Sequence, residues 1–285
     1  MIVTLKRRAA FAAAHNYSIA DLSDRDNQAL FGKFASVEGH GHNYVVEISV
    51  TGPVDERTGM VVNITEIDGA LKSHVIGVLD GKFLNREVEY FRSRSPSTEN
   101  LVSFVRSALA GNLPGVAELT AVTVWESELL RSEWSAEPPR GQDRAQSMIT
   151  LTRGYDFSAS HRLHSNHLSA DENRRLFGKC NNPNGHGHNY DIEVTMAGTP
   201  DERSGMLFSI DELDRAVQEE VLDILDHKHL NLDVADFAEI VPTSEMLAVV
   251  IWRRLARRLP VSGDPRLAKV MVRETARNSF EYRGG

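Results

Sequence analysis

Two copies of a His-Gly-His motif carry the residue types in this sequence that are best suited to bind a metal ion. On a β-strand, residues i and i+2 point to the same face, so both imidazoles of one motif can reach the same ion. A further histidine lies about 25 residues upstream of each motif, on a segment that we also predict to be a strand. Three imidazoles leave one position of a tetrahedral zinc ion open, as catalytic zinc sites do. The predicted ligands are His15, His40 and His42 in one set and His161, His186 and His188 in the other.

The two histidine sets belong to a longer internal repeat. Phe31-Gly32-Lys33 recurs 146 positions later as Phe177-Gly178-Lys179, and Asp80 recurs as Asp226 with the same offset. A constant offset over most of the repeat indicates a tandem duplication with almost no insertion or deletion. The region between the copies contains Pro138-Pro139 and no apolar periodicity, which is typical of a linker. We predict a first domain at residues 1–133, a linker at 134–147 and a second domain at 148–285.

Each copy mixes strand and helix patterns. Apolar runs at 44–50 and 190–196 predict strands, and helical spacing of apolar residues predicts helices at 67–79 and 213–225. A second helix is predicted in each copy, ending at Leu109 in the first and at Leu255 in the second. A final strand is predicted at 122–124 in the first copy and at 270–272 in the second. Turns are predicted at Gly52-Pro53 and Gly198-Thr199-Pro200. Helices and hairpins without βαβ crossovers indicate an α+β fold with an antiparallel sheet.

The composition limits the kind of partner. The net charge of −8 argues against a nucleic-acid-binding protein, since such proteins usually carry a basic face. No stretch approaches the roughly 18 apolar residues of a membrane span. The single cysteine, Cys180, excludes an intrachain disulfide and fits a reducing compartment. We therefore expect a soluble, cytoplasmic protein that binds neither nucleic acid nor membrane.

Three segments of the second copy carry a family resemblance. They are 157–163 (Phe-Ser-Ala-Ser-His-Arg-Leu), 176–190 (with Cys180-Asn181-Asn182-Pro183-Asn184 before the His-Gly-His motif) and Leu225-Asp226-His227-Lys228. They resemble the zinc-site segments of the family of 6-pyruvoyltetrahydropterin and 6-carboxytetrahydropterin synthases. The resemblance implies the tunnelling fold: each domain is an antiparallel sheet with two helices on one face, and the domains assemble into a barrel with active sites between them. It also implies a homo-oligomer, for which we favour a trimer of tandem chains.

The same resemblance implies roles for individual residues of the second copy. His161, His186 and His188 would bind zinc, and Cys180 would act as the general base, aided by Asp226 and His227. Glu274 matches the glutamate that anchors the pterin ring through its amide and amine donors. Thr243-Ser244-Glu245 resembles a segment that lines the pterin pocket, and Glu126 is the first-copy counterpart of Glu274.

The first copy departs from the family pattern at the residues of the reaction. Phe34 stands where the second copy has Cys180, and Gly81 stands where it has His227, although His15, His40 and His42 remain. We predict that this copy completes the barrel without catalysing the reaction. The alternative is that Glu38, two residues before His40, acts as a substitute base for a different cleavage.

The predicted function is a zinc-dependent lyase that converts 7,8-dihydroneopterin triphosphate to 6-pyruvoyltetrahydropterin with loss of triphosphate. Two alternatives stay open: a 6-carboxytetrahydropterin synthase of deazapurine (queuosine-type) biosynthesis, and a non-catalytic pterin-binding protein. A zincin-type hydrolase is disfavoured because the sequence has no His-Glu-x-x-His helix. Besides His227, four histidines occur in one copy only and are predicted to be surface or packing residues: His74, His164, His167 and His229.

Overall fold

The computed structural model describes residues 1–115, 117–136 and 148–285. The chain folds into two compact units. The first contains Met1–Thr152 and Ala197–Ser209, and the second contains Arg153–Met196 and Ile210–Gly285. The first unit thus includes two short segments of the second sequence copy. Residues 137–147 of the predicted linker lie outside the described residues, whereas Trp134 and Ser135 belong to a strand.

The first unit is built on a sheet with the order β1-β2-β3-β4, in which neighbours are antiparallel. On β2 every second side chain is buried, among them Tyr44, Val46 and Ile48 at 0% exposure, because one face of the sheet is covered. The pairing of β1 with β2 sets His15 opposite His40. The strands are β1 (Ile2–His15), β2 (His40–Pro53), β3 (Glu118–Ser127) and β4 (Leu130–Ser135).

Three helices of the first unit begin at polar caps. Ser23, Asn63 and Ser97 each accept a hydrogen bond from a backbone N–H of the first turn. The predicted helix at 67–79 consists of α2, a π-helical turn at Lys72–Ile76 and α3, and α5 packs on β3 and β4. The helices are α1 (Asp24–Phe31), α2 (Ile64–Leu71), α3 (Gly77–Leu79), α4 (Leu84–Glu87) and α5 (Thr98–Leu109).

The second copy repeats these elements, including a π-helical turn at Gln218–Leu222. Its strands follow the order β5-β6-β8-β9, and the short β7 pairs in parallel with β5. The elements are β5 (Ile149–His161), α6 (Ala170–Phe177), β6 (His186–Gly198), α7 (Ile210–Val217), α8 (Asp223–Leu225), β7 (Lys228–His229), α9 (Leu230–Asp233), α10 (Ser244–Leu255), β8 (Arg266–Thr275) and β9 (Asn278–Tyr282).

The α+β prediction, with strands and helices repeated in both copies, is confirmed. The turns lie later than predicted, because β2 continues through Gly52 to Pro53 and β6 through Gly198. The chain reverses at 55–59 and 201–205, where the N–H of Gly59 or Gly205 donates to the carbonyl of the aspartate four residues earlier. Both glycines have a positive φ, which suits a glycine. Among the described residues, none of the helices combines the length and apolar character needed to cross a bilayer.

Candidate functional site

The structure brings the predicted histidines together as two clusters, one in each sequence copy. In both, ring nitrogens of all three residues lie within 4.8 Å of one another. The last residue of β1 or β5 supplies one histidine, and the first and third residues of β2 or β6 supply the other two. The alternation of side chains along the strand therefore produces the shared face that the His-Gly-His spacing predicts. Neither cluster includes Cys180, which lies in a short 3₁₀ turn at Gly178–Asn181.

Each cluster has the hydrogen bonding expected of metal ligands. Nδ1 of His15 lies 3.0 Å from the carbonyl oxygen of Pro96, and Nδ1 of His161 lies 2.7 Å from that of Pro242. A proton on Nδ1 donated to this carbonyl leaves the Nε2 lone pair free for a metal, a common arrangement around ligating histidines. His186 Nε2 lies 3.3 Å from His161 Nε2. Two buried ring nitrogens without a hydrogen-bond partner, His42 Nε2 and His188 Nε2, complete the fit to a metal ion.

Burial favours the neutral, metal-binding form of several of these imidazoles. The pKa of His15 is lowered to about 3, mainly by burial and in smaller part by the neighbouring His40 and His42, against the raising effect of the Pro96 carbonyl. Burial is also the main cause of the lowered pKa values of His161 and His186. Metal binding at neutral pH would therefore not have to displace protons from His15, His161 or His186.

A glutamate lies beside each cluster, as the family resemblance implies. Glu274 Oε1 is 3.8 Å from His161 Nε2 and 3.7 Å from His188 Nε2, and its Oε2 accepts a hydrogen bond from Asn278 Nδ2 at 3.3 Å. The side chain of Glu274 is 18% exposed. It therefore combines a position at the cluster with access for a small molecule.

Cys180 lies in the short turn between α6 and β6, the strand that begins with His186. Its carbonyl oxygen accepts from Leu163 N at 2.9 Å, and the residue is partly exposed. Burial raises the pKa of Tyr190, and the nearby Glu274 and Cys180 add to the increase. Tyr190 is fully buried, and its hydroxyl lies 3.5 Å from His161 Nδ1.

Asp226 and His227 occupy a different place, at the end of α8. The Asp226 carboxylate accepts from Ser158 N at 2.9 Å and lies 2.9 Å from His227 Nδ1. The equivalent Asp80 accepts from Ala12 N at 2.9 Å. In both copies this aspartate, at the end of α3 or α8, is therefore hydrogen-bonded to the first strand of the copy. The His227 side chain is 81% exposed and contacts Asp226 rather than the histidine cluster. Within one chain, the structure therefore does not bring this pair to the metal ligands.

The backbone of His227 is unusual. Its φ of +55° makes it the one residue other than glycine with a positive φ in the described part of the chain, and Gly81 holds the equivalent position at +71°. A side chain costs about 1 kcal/mol in this conformation, whereas glycine adopts it freely. Strain of this kind concentrates at functional sites, which supports a role for the imidazole.

The segment predicted to line the pterin pocket lies at the start of α10. Thr243 caps the helix by accepting from Met246 N at 3.3 Å, Ser244 is buried, and Glu245 is exposed. Pro242, directly before this segment, is the residue whose carbonyl lies 2.7 Å from His161 Nδ1. The helix start and the histidine cluster are therefore in direct contact.

Aromatic residues close the equivalent site of the first copy. Tyr17 replaces Leu163, is 1% exposed and places its hydroxyl 3.5 Å from Glu126 Oε2. Phe34, at the position of Cys180, stacks on Tyr17 with ring centroids 5.4 Å apart. Glu126 is only 4% exposed, and its Oε1 lies 3.5 Å from His42 Nε2. The anchoring carboxylate of this copy is thus covered.

Sequence reasoning missed some residues of the site. Tyr44 and Tyr190 contact the clusters, and each is two residues beyond the His-Gly-His motif, a spacing that places it on the same strand face. The Pro96 and Pro242 carbonyls carry no comparable pattern.

Three of the histidines predicted to be surface or packing residues, His164, His167 and His229, line the same cavity. A cavity of about 270 Å³ is lined by Arg162, His164, His167 and His229 among others. His164 Nδ1 lies 3.1 Å from the side-chain nitrogen of Asn181. His74 is exposed, as predicted.

Comparison with known proteins places both copies in one family. A family model described as 6-pyruvoyl tetrahydropterin synthase matches residues 4–136 and 150–285. The 6-pyruvoyl tetrahydrobiopterin synthase of Homo sapiens is 47% identical over 144 residues, which cover 50% of this chain and 96% of the human protein. The Drosophila melanogaster enzyme of that name is 47% identical over 139 residues, covering 49% of this chain and 82% of the enzyme. The solved structure of Caenorhabditis elegans 6-pyruvoyl tetrahydropterin synthase is 43% identical, with a TM-score of 0.46, and covers 48% of this chain and 96% of its own.

One match of the family model lies on each sequence copy, which confirms the predicted tandem duplication. The relatives confirm the predicted enzyme class, a lyase of this type. The chain belongs to the 6-pyruvoyl tetrahydropterin synthase family.

Proposed function

We propose that the second copy is a zinc-dependent lyase that converts 7,8-dihydroneopterin triphosphate to 6-pyruvoyltetrahydropterin with loss of triphosphate. The observation that carries the proposal is the grouping of three metal-ligating histidines with an accessible carboxylate, Glu274, whose Oε1 lies 3.7 Å from His188 Nε2. His161, His186 and His188 would hold the zinc ion. When bound, zinc supplies a Lewis acid that polarises the oxygens of the pterin side chain.

Glu274 would bind and orient the pterin ring. A pterin presents an amide N–H and an exocyclic amine side by side, and a carboxylate accepts both in a bidentate way. Asn278, which donates to Glu274 Oε2 at 3.3 Å, would hold the carboxylate in place, and Thr243-Ser244-Glu245 would line the pocket. Together these residues would direct the side chain of the pterin toward the histidines.

Cys180 would remove the carbon-bound proton of the substrate side chain as the general base. Its partial exposure leaves the residue accessible, and its turn leads into β6, whose first residue is His186. His227, oriented by Asp226, would carry a second proton. Because His227 points to solvent in the single chain, we propose that it completes a site on a neighbouring copy of the protein, in the homo-oligomer that the family implies.

For the first copy we propose a non-catalytic role. Tyr17 contacts its glutamate, and Phe34, which stacks on Tyr17, holds the sequence position of the base. Glu38, the alternative base, is exposed on the turn before His40. An unchanged set of pterin products from Glu38→Gln would exclude that alternative.

Mass spectrometry of the products formed from 7,8-dihydroneopterin triphosphate tests the proposal. We expect 6-pyruvoyltetrahydropterin and inorganic triphosphate, both lost in Cys180→Ala while the zinc content is kept. Formation of 6-carboxytetrahydropterin would keep the site but replace the reaction with the deazapurine alternative. Tight binding without turnover would favour the non-catalytic pterin-binding protein, and no binding would refute a pterin site for this substrate.

A further inference from the structure

A cavity of about 270 Å³ adjoins the second-copy histidine cluster and has no part in the proposed chemistry. Arg162 lines it and directly follows His161 in the chain. Val241 also lines it and directly precedes Pro242, whose carbonyl oxygen lies 2.7 Å from His161 Nδ1. Pockets that enclose a drug-sized ligand measure roughly 300–1,000 Å³, so this smaller cavity suits one part of a ligand or a small ion.

Imidazoles around the cavity supply hydrogen-bond donors. The side-chain nitrogen of Asn181 lies 2.7 Å from the carbonyl oxygen of Leu163 and 3.1 Å from His164 Nδ1. A carbonyl oxygen can only accept, so this nitrogen is the NH2 group of the amide, and His164 Nδ1 accepts its second hydrogen. The proton of the neutral His164 ring therefore lies on Nε2, which becomes a donor. His167 and His229 add two further imidazoles to the lining.

Arg162 gives the cavity a positive charge. The residue is partly buried, and its Nε donates to the carbonyl oxygen of Asn181 at 3.3 Å. In the part of the chain that the structure describes, its guanidinium forms no ion pair with a carboxylate. Arginine is seldom buried without such a partner, and its planar fork of N–H donors matches the oxygens of a phosphate group. A partly buried arginine of this kind favours an anionic ligand.

The carboxylate among the lining side chains belongs to Glu239, which is exposed. Water screens an exposed charge more strongly than a partly buried one. Arg162 therefore has a larger effect than Glu239 on an anion inside the cavity.

The first copy has different side chains at the positions of the arginine and the three histidines. Counting 146 residues back, Asn16 corresponds to Arg162, Ser18 to His164, Asp21 to His167 and Phe83 to His229. The ring of Phe83 lies against Gly39, where an added Cβ would be 2.6 Å from it, and the Arg86 guanidinium stacks on the ring at 4.2 Å. The cationic and imidazole lining thus accompanies the copy that contains the proposed base, which connects the cavity with the ligand of that copy.

We propose that the cavity binds a phosphate-type anion, held by the guanidinium of Arg162 and by Nε2–H of His164. The anion has two possible sources, the triphosphate group of the substrate and free inorganic triphosphate. The first source rests on the proposed function: the triphosphate is attached to the same short side chain whose oxygens would bind the metal, so it must lie close to the histidine cluster. The second source does not depend on the reaction.

Isothermal titration calorimetry of the purified full chain with inorganic triphosphate tests the cavity. We expect Arg162→Gln to bind triphosphate at least about tenfold more weakly than wild type, because hydrogen bonds between two charged groups are lost. Arg175→Gln is the matched control, since it removes the same charge from an exposed position on α6 outside the cavity lining, and it should bind as wild type does. Metal analysis of each sample accompanies the titration, because triphosphate can also bind zinc. No binding by wild type, or equal losses in the two variants, would overturn the proposal.

Two further variants cover the case in which Arg162→Gln fails to fold. His229→Phe introduces the side chain that the first copy accommodates beside Gly39, the counterpart of Gly185. It removes an imidazole and narrows the cavity, so triphosphate binding should weaken while the metal content stays the same. Glu239→Gln removes the repelling charge and should bind triphosphate more tightly. Wild-type affinity in His229→Phe, or weaker binding in Glu239→Gln, would contradict an anion in this cavity.

Competition with 7,8-dihydroneopterin triphosphate separates the two sources. If the cavity holds the phosphates of the substrate, inorganic triphosphate competes with the substrate, and Arg162→Gln raises KM but leaves the affinity for a reduced pterin without phosphate unchanged. If triphosphate and substrate bind together, the cavity holds a free anion. The calorimetric titration needs neither pterin nor turnover. Failure of the lyase reaction would therefore leave the anion site intact, and failure of triphosphate binding would leave the lyase proposal intact.

Discussion

Replacing Glu274 by glutamine tests whether this carboxylate anchors the pterin ring. The substitution preserves shape but turns one acceptor oxygen into a donor that faces the donors of the ring. Asn278 donates to Oε2 of Glu274 at 3.3 Å. If the glutamine turns its amide oxygen toward Asn278, its NH2 group faces the pterin and cannot accept the hydrogen bond that the second carboxylate oxygen would accept. A hydrogen bond to a charged group contributes about 1.5–3 kcal/mol, which predicts a loss of pterin affinity of roughly 10- to 150-fold.

Fluorescence titration with a non-reacting reduced pterin measures the affinity, and metal analysis of the same samples separates ring binding from metal loss. The matched control is Glu126→Gln in the first copy. Its carboxylate is 4% exposed and lies against Tyr17, so we expect no change in pterin affinity. Wild-type affinity in Glu274→Gln, or equal losses in the two variants, would refute the assignment of the pterin site to the second copy.

Three further predictions concern the base, the metal and a buried carboxylate. Cys180→Ala should lower kcat by about 10²- to 10⁴-fold without changing the metal content, as steady-state kinetics would show. His161→Ala should lose one metal equivalent and turnover together, whereas His15→Ala should lose one equivalent and keep turnover; elemental analysis and kinetics decide this. Burial raises the pKa of Glu99, so its stabilising contribution is complete below its unfolded value of about 4.3 and is lost as pH rises through the folded pKa. The Tm of Glu99→Gln relative to wild type should therefore rise across that range in thermal melts, and a constant difference would contradict this.

The parts of the fold that could be predicted are those with a local pattern. Alternation on β2 and β6 predicts strands because one sheet face is buried, and the same alternation places two histidines of each motif together. The helices at 67–79 and 213–225 follow from the spacing of apolar residues, although the π-helical turns inside them do not. Helices α1 and α6 were not predicted from the sequence. They bury few residues, so their sequences show little apolar periodicity.

Other features depend on contacts that are distant in sequence. The Pro96 and Pro242 carbonyls lie against histidines 81 positions earlier, and a backbone carbonyl has no residue type that reveals it. The predicted linker wrongly includes Trp134, because β4 is short and is followed by proline-rich sequence, yet pairing with β3 makes this residue part of the sheet. The position of His227 outside the histidine cluster follows from the topology, since β7 pairs on the edge of β5.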